Sequence, residues 1–399
     1  MTEATAQEAR PASPGMSRGL TLLFAVAGGA AVGNLYWAQP LLGVIADDFG
    51  MSTSSAGLAV TLTQVGYALG VFFLVPLGDV VDRKKAIPVL MGGAAVALLA
   101  TAAAPSFSVL LATLALIGVT TVAGQLITPL AGDLSTDEQR GRVLGTVASG
   151  LVLGLLVSRA ISGIVADLLG WRAVYVAAAV IMVVLTLVMA RRLPTLPARG
   201  SVPYGALLLS VLRTVRSRTV VTVMLIGSLT MCVFTMFWTG LTYLLSADPF
   251  GFSATQIGLV SLIGVVGAVA GMQVGKLFDR GLGVPAIGVA LSVILVGLVV
   301  SGLGSRLALV IFASVALFSV GAQAVQVLAQ TRMLSIDPAA RSRHNTVFIV
   351  GNFIGGAVGS ALAGTLWQAG GWPFVMVVAA CLPGAALTVW AVQRRRALA

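Results

Sequence analysis

Arg159 stands inside a long apolar run, with Leu155, Leu156 and Val157 before it and Ile161 after it. An arginine at bilayer depth is costly unless it faces a partner or a wet cavity, so its presence marks a site where an anionic or polar substrate is drawn in, or where proton coupling is tuned. The competing reading is a side chain that snorkels toward the membrane surface or pairs with backbone carbonyls. Amides form a second set. Thr121, Gln125 and Thr128 fall at i, i+4 and i+7, and Gln323, Gln326 and Gln330 at i, i+3 and i+7, each on one helical face. Such amides bind hydroxyl or amide groups of a ligand, or they join helices at roughly 0.6 kcal/mol per bond. Asn34, Tyr36, Trp37 and Gln39, then Gln64 and Tyr67, then Trp238 and Tyr243, add aromatic walls with a few polar groups, which suits a bulky amphiphilic ligand. Trp and Tyr near span ends equally serve as interfacial anchors. Asp79 with Arg83 and Lys84, and Asp279 with Arg280, place a carboxylate beside cations at a helix end, a pairing able to hold helix termini together. His344 is the sole histidine, and neither a metal-ligand cluster nor a nucleophile–base constellation occurs. Enzyme chemistry, cofactors and metals are therefore not expected.

The elements that must position these residues are membrane spans. Hydrophobic residues make up 58% of the 399 residues and charged ones 9%, with a mean hydropathy of +1.02; a soluble domain carries roughly 25% charged residues. Twelve apolar runs are long enough to cross, since a crossing needs about 20 apolar residues. They are approximately Leu20–Gly43, Ala56–Leu77, Ala86–Ala104, Phe107–Leu130, Val143–Leu168 and Ala173–Ala190, then Thr219–Leu245, Thr255–Leu277, Val284–Leu303, Leu307–Arg332, Asn345–Gln368 and Pro373–Val392. The chain also repeats itself at an offset of 200 or 201 residues. Trp37 matches Trp238, Asp79 matches Asp279, Gln125 matches Gln326, Gly154 matches Gly355, Gly163 matches Gly364, and Gly170-Trp171 matches Gly371-Trp372. Two membrane halves of one design form the signature of a duplicated secondary transporter.

Charge orients the chain. With the amino terminus inside, 21 of the 24 basic residues fall in inside segments, all but Arg159, Arg172 and Arg306. That bias predicts both termini in the cytoplasm and explains the net charge of +11 without nucleic-acid binding. The expected organisation is a disordered cytoplasmic tail over 1–18, a six-helix half over 19–190, a basic linker over 191–218, a second six-helix half over 219–393 and a basic tail over 394–399. Part of the linker, near Leu207–Val215, reads as an amphipathic helix on the inner leaflet. Pro40 is expected to kink the first span. Cys232 and Cys381, both inside spans, read as packing residues.

The segment Leu77-Gly78-Asp79-Val80-Val81-Asp82-Arg83-Lys84-Lys85 resembles the signature between helices 2 and 3 of the major facilitator superfamily, Gly-x-Leu-x-Asp-Arg-x-Gly-Arg-Arg. Asp79, Arg83 and Lys84 match its Asp and its two final basic residues, while Val80 and Asp82 replace its first Arg and its Gly. Gly275-Lys276-Leu277-Phe278-Asp279-Arg280 is a weaker second copy. Asn34-Leu35-Tyr36-Trp37-Ala38-Gln39-Pro40 looks like helix 1 of bacterial drug and sugar efflux members, and Ser158-Arg159-Ala160-Ile161-Ser162-Gly163 is similar to their helix 5 motif, with Ser-Arg where drug antiporters carry Gly-Pro.

The resemblance implies an all-α membrane protein with twelve transmembrane helices in two pseudo-symmetric six-helix halves, placed in the bacterial inner membrane as a monomer. It implies export of a small amphiphilic compound, drug- or sugar-like, in exchange for protons, with substrate held between the halves. The alternative is an importer or facilitator of an anionic or sugar-like solute. The expected substrate contacts are Asn34, Tyr36, Gln64, Gln125, Arg159, Trp238, Gln323 and Gln326. Asp79, Arg83, Lys84, Asp279 and Arg280 are the expected gating residues, Asp79 and the cations behind it holding the cytoplasmic side shut. No Asp or Glu lies centrally in any span, so proton coupling rests on the resemblance. Asp47, Asp48, Asp167 and His344 are the titratable groups that remain for it.

Overall fold

The computed structural model describes residues 15–78, 80–194 and 203–395, and every regular element among them is helical. In hydrocarbon each backbone N–H and C=O must find a partner inside its own segment, which leaves the helix as the only open-ended solution. We label the spans α1 (Arg18–Gly33), α2 (Thr53–Leu77), α3 (Arg83–Ala102), α4 (Phe107–Leu134), α5 (Asp137–Leu169), α6 (Trp171–Arg192), α7 (Arg218–Ser246), α8 (Ala254–Asp279), α9 (Gly283–Leu303) and α10 (Ala308–Ser335). The last helical stretch, Pro338–Gln393, loses helical geometry at Gly370 and Gly371 and so contains two arms, α11 (341–369) and α12 (372–393). Among the described residues, ten helices are long and apolar enough to cross a membrane. The broken last stretch and the short α1, extended past Gly33 by further helical turns, make this consistent with twelve crossings. Large apolar side chains such as Val89, Val180 and Leu309 point outward, as lipid contact requires.

The first span departs from the continuous, Pro40-kinked helix expected over Leu20–Gly43. Its α-helix ends at Gly33, turns through residues 34–38, passes a 3-10 turn at Gln39–Leu41 and resumes only at Leu42–Asp48. The break starts six residues before Pro40 because local polar groups take over the backbone's hydrogen bonding, as described below. In the linker, a helix runs over Tyr204–Thr214, and the Tyr204 hydroxyl donates to the carbonyl of Phe73 on α2. Residues 195–202 and most of the amino-terminal tail lie outside the described residues.

The sequence repeat is a repeat of shape. Gly170 and Gly371, partners in it, both take positive φ (84° and 63°), which lets the chain reverse between α5 and α6 and again between α11 and α12. Gly154 and Gly355 are a second pair. A Cβ on Gly154 would lie 2.1 Å from the Gly29 carbonyl oxygen, and one on Gly355 2.2 Å from that of Ser228, so α5 packs against α1 and α11 against α7 backbone to backbone.

Hydrogen bonds between the halves, among the described residues, gather at the end remote from the chain termini. Thr242 donates to the Gln39 carbonyl (3.2 Å), Ser360 to that of Gly57 (3.1 Å) and the Tyr243 hydroxyl to that of Ser54 (3.4 Å). The Thr255 amide at the start of α8 donates to the Asp167 carboxylate (2.8 Å), and Gln368 donates to the Ser54 hydroxyl at the start of α2. Gly163 and Gly364 let these elements touch, with virtual Cβ atoms 2.1 Å from the Ala254 carbonyl oxygen and 2.6 Å from that of Ser54.

Candidate functional site

A cavity of about 210 Å³ lies between the halves, directly beneath this remote-end seal. The first half contributes Val32 of α1 and Leu151, Val152, Leu155, Leu156 and Arg159 of α5; the second contributes Phe234 and Trp238 of α7, Gly264 and Ala268 of α8, and Ser319 and Gln323 of α10. Helical periodicity supplies the faces. Val152, Leu156 and Arg159 are spaced by one turn or two, as are Phe234 and Trp238, and Ser319 and Gln323. A wider groove of about 790 Å³ lies between α9 and α12 around Val289 and Trp390, but it draws on one half only and is walled mostly by apolar residues, with Arg394 and Arg395 at one end.

Arg159 governs the cavity. It is 2% exposed, and none of its guanidinium nitrogens has a hydrogen-bond partner among the described residues. It sits instead among ring faces, with Cζ 4.6 Å from the Trp238 ring centroid, 4.8 Å from that of Tyr36 and 5.7 Å from that of Phe234. Each such contact is worth about 0.5–2 kcal/mol. Burying a cation away from water costs more than this: the effective penalty is several kcal/mol per ion and falls away only when hydrogen bonds and an opposite charge compensate it. The rings therefore orient the guanidinium without neutralising it. Trp238 Nε1 and Ser319 Oγ are likewise buried without a partner. The backbone seals the site on the remote side, where a Cβ on Gly258 of α8 would fall 2.5 Å from the Arg159 carbonyl oxygen.

The other expected contacts divide by what they touch. Tyr36 belongs to the ring cage, and Gln323 lines the cavity. Asn34 is drawn into a network that stabilises the break in the first span. Its Nδ2 donates to Thr121 Oγ1 (3.1 Å), its Oδ1 accepts from Trp37 Nε1 (3.0 Å), and the Thr121 hydroxyl donates to the Ala31 carbonyl (2.9 Å). The broken turn thus finds its partners on α4. Gln125 Nε2 donates to the Tyr67 hydroxyl (3.0 Å) within the first half. Gln326 Nε2 donates to the Gly227 carbonyl (3.1 Å) and its Oε1 accepts from Asn352 (2.9 Å) within the second. These two repeat-related glutamines thus bond inside their own halves. Gln64 is 1% exposed at the α2–α11 contact, near Gly356, and its amide atoms have no partner among the described residues.

Of the gating set, Asp79 lies outside the described residues. Arg83 is largely buried; its Nε donates to the Gly78 carbonyl (2.9 Å) and its Nη1 to the Asp133 carboxylate at the end of α4 (3.1 Å). The Lys84 amide donates to Asp82, which caps α3. Asp279 and Arg280 are exposed at the end of α8, with no ion pair between them among the described residues. Asp47 is exposed, Asp48 accepts from Arg172 (2.7 Å) and Trp171 (3.2 Å) at the remote surface, and His344 is buried at the opposite end of α11.

Sequence reading missed Phe234, Ser319 and Asp133. The first two carry a signal: each lies four residues before a residue already singled out, on the same helical face. Asp133 pairs with Arg83 across 50 residues, and no local pattern announces such a contact.

Known proteins align along most of this length. The family model described as Major Facilitator Superfamily matches residues 22–341. The chain is 37% identical to an uncharacterized transporter, YgaY, of Escherichia coli O157:H7, over 94% of this chain and 95% of that protein. It is 25% identical to a probable sugar efflux transporter of Helicobacter acinonychis, over 82% of each. Among solved structures it resembles a bacterial homolog of the human lysosomal transporter Spinster in an inward-facing, occupied conformation, with TM-score 0.74 and 14% identity over 94% of this chain and 96% of that one, a likeness of fold.

Proposed function

The chain belongs to the Major Facilitator Superfamily, and from that premise we propose that it is a secondary transporter that exports a small amphiphilic compound across the bacterial inner membrane by alternating access, in exchange for protons. The observation that carries this reading is the cavity at Arg159, which takes its walls from both halves and is closed on one side by their mutual contacts. Rocking one half against the other would break those contacts and open the same cavity to the opposite face. Apolar walls with a few polar groups suit an amphiphile. Export is favoured by the likeness to a probable sugar efflux transporter and by the efflux-type motifs around Trp37 and Arg159.

In this reading the termini face the cytoplasm, the seal at Thr242, Asp167 and Gln368 is periplasmic, and Asp79, Arg83 and Lys84, together with Asp279 and Arg280, act at the cytoplasmic gate. Protons enter through a periplasmic-end carboxylate, of which Asp167 lies on the seal itself. The chain works as a monomer between the six-helix halves 19–190 and 219–393. A second reading, uptake or facilitated passage of an anionic or sugar-like solute, is favoured by the cavity's single positive charge.

The test is accumulation of one cationic and one anionic fluorescent dye in everted vesicles under an imposed pH gradient. Gradient-dependent accumulation of either supports export by proton exchange. Equilibration without accumulation, with intact protein, would favour the facilitator.

A further inference from the structure

We propose that the ligand of the central cavity is a small organic monoanion, a carboxylate in the first instance, held by Arg159 together with Trp238 Nε1 and Ser319 Oγ. This rests on the transporter reading above and specifies its substrate class. The buried polar groups without a partner at the cavity, among the described residues, are an arginine fork, an indole N–H and a hydroxyl. Arginine and indole only donate, and a hydroxyl is free to. Among the described residues no Asp or Glu lines the cavity, and the Gln323 amide, which can accept, carries no charge to balance Arg159. A cation would meet uncompensated like charge, and a neutral polar ligand would leave that charge unanswered. A carboxylate supplies two acceptor oxygens in the geometry of the guanidinium fork and cancels the charge as well.

The parts lie close together. The position that a Cβ on Gly264 would occupy is 3.8 Å from Ser319 Oγ and 3.9 Å from Trp238 Cζ2, and the Trp238 ring lies 4.6 Å from Arg159 Cζ. The ring cage fixes the guanidinium before any ligand arrives, which lowers the ordering cost of binding. The rest of the wall, Leu151, Leu155 and Phe234, is apolar, so the anion must carry an apolar body. At about 210 Å³ the cavity is smaller than the roughly 300–1,000 Å³ of drug-sized sites. A single aromatic or branched aliphatic body fits that description better than a polycyclic drug.

The test uses three ligands of one shape and three charges: benzoate, benzamide and benzamidinium. Binding to the purified full-length protein is measured by calorimetry and by shift of the unfolding temperature. Benzoate is expected to bind at least about tenfold more tightly than benzamide, the scale of a charge-assisted hydrogen bond over a neutral one, and benzamidinium not at all. Arg159→Lys should keep part of the benzoate preference, since charge remains and the fork is lost. Trp238→Phe, which keeps a ring and removes the N–H, and Ser319→Ala should each weaken benzoate severalfold and benzamide by less, because the anion draws the stronger hydrogen bonds. These two variants test the site even if changes at Arg159 disturb folding.

Equal binding of benzoate and benzamide, tightest binding of benzamidinium, or indifference of benzoate to both Trp238→Phe and Ser319→Ala would overturn the proposal. Dye export with no binding of benzoate would also overturn it and leave the export reading in place. Benzoate binding with the expected variant effects, but no dye export, would uphold the anion site and remove the export reading instead.

Discussion

Helices α5 and α11 are copies of one another at an offset of 201 residues, and they differ where it matters. Gly163 and Gly364 are the same residue in the same role, letting each helix touch the start of a helix from the other half. One turn further on, the copies part. Asp167 accepts from the backbone at the start of α8, while its counterpart Gln368 reaches the Ser54 hydroxyl at the start of α2. One turn earlier they part again: Arg159 is a caged cation, and its counterpart Ser360 donates to the Gly57 carbonyl. Positions that build the closure kept one residue type in both copies, whereas positions facing the cavity or the seal diverged. The difference teaches that the fold is two-fold symmetric and its chemistry is not. Charge sits on the α5 side, and the α11 side is neutral.

The strongest way to break this comparison is to widen the shared contact. Gly163→Val and Gly364→Val should each bring transport to background, because added methyl groups would collide with backbone that cannot step aside. With Ala in place of Val, position 163 should suffer more than position 364, since its virtual Cβ is the closer to a carbonyl oxygen (2.1 against 2.6 Å). Transport rates in everted vesicles check this, and wild-type rates for either Val variant would mean that the closure is not used.

The next effect concerns the caged charge. Arg159→Met should leave stability unchanged or raise it by up to about 4 kcal/mol, the range found when buried ion pairs are replaced by apolar volume. Ser360→Ala should lower it by roughly 0.6 kcal/mol, one inter-helix hydrogen bond. Thermal unfolding in detergent reports both. A fall on Arg159→Met would return Arg159 to a packing role.

The seal gives a smaller, pH-dependent contrast. The ionised Asp167 carboxylate is attracted to the start of α8 with a strength of about 0.3–1 kcal/mol. Closure is therefore favoured above the carboxylate titration range and weakened as pH falls through it. Asp167→Asn should flatten that dependence, and Gln368→Ala should weaken closure equally at every pH. Labelling of a single cysteine introduced at Gly251, beside the start of α8, followed over roughly pH 2 to 5, distinguishes them, and an unchanged pH profile in Asp167→Asn would remove the carboxylate from the seal.

The smallest expected effects lie in the glutamine pair. Gln125→Leu and Gln326→Leu should cost roughly 0.6 kcal/mol per lost bond, and Gln326→Leu the more, having two partners. A change in ligand affinity without loss of stability would make them ligand contacts after all.

Much of this was legible in advance, for identifiable reasons. The spans follow from composition, because hydrocarbon admits long apolar helices and little else. The repeat foretold paired glycines, and Gly170 with Gly371 share a left-handed turn because a glycine is needed wherever φ is positive. Arg159 stood out because a charge in an apolar run is conspicuous at any level of description. The fate of the amides was not legible. Asn34, Gln125 and Gln326 carry the same groups as a ligand contact would, and only the arrival of Thr121, Tyr67, Gly227 and Asn352 from distant segments turned them inward to their own halves. The break at Gly33 escaped notice for the same reason. The proline offered a local cause, while the operative one was a hydroxyl on α4, 90 residues away from the carbonyl it serves.

Residue type and short-range spacing suffice for the solvent, the spans, the two-fold plan and the one charge that cannot be left alone in lipid. Which faces meet is settled by packing: Arg159 lies among Tyr36, Phe234 and Trp238, Arg83 finds Asp133, and Asp167 caps a helix of the other half. Those outcomes depend on how helices pack across hundreds of residues of chain, where the energy of any one contact is small and the choice among polar partners is made by the sum of all the others.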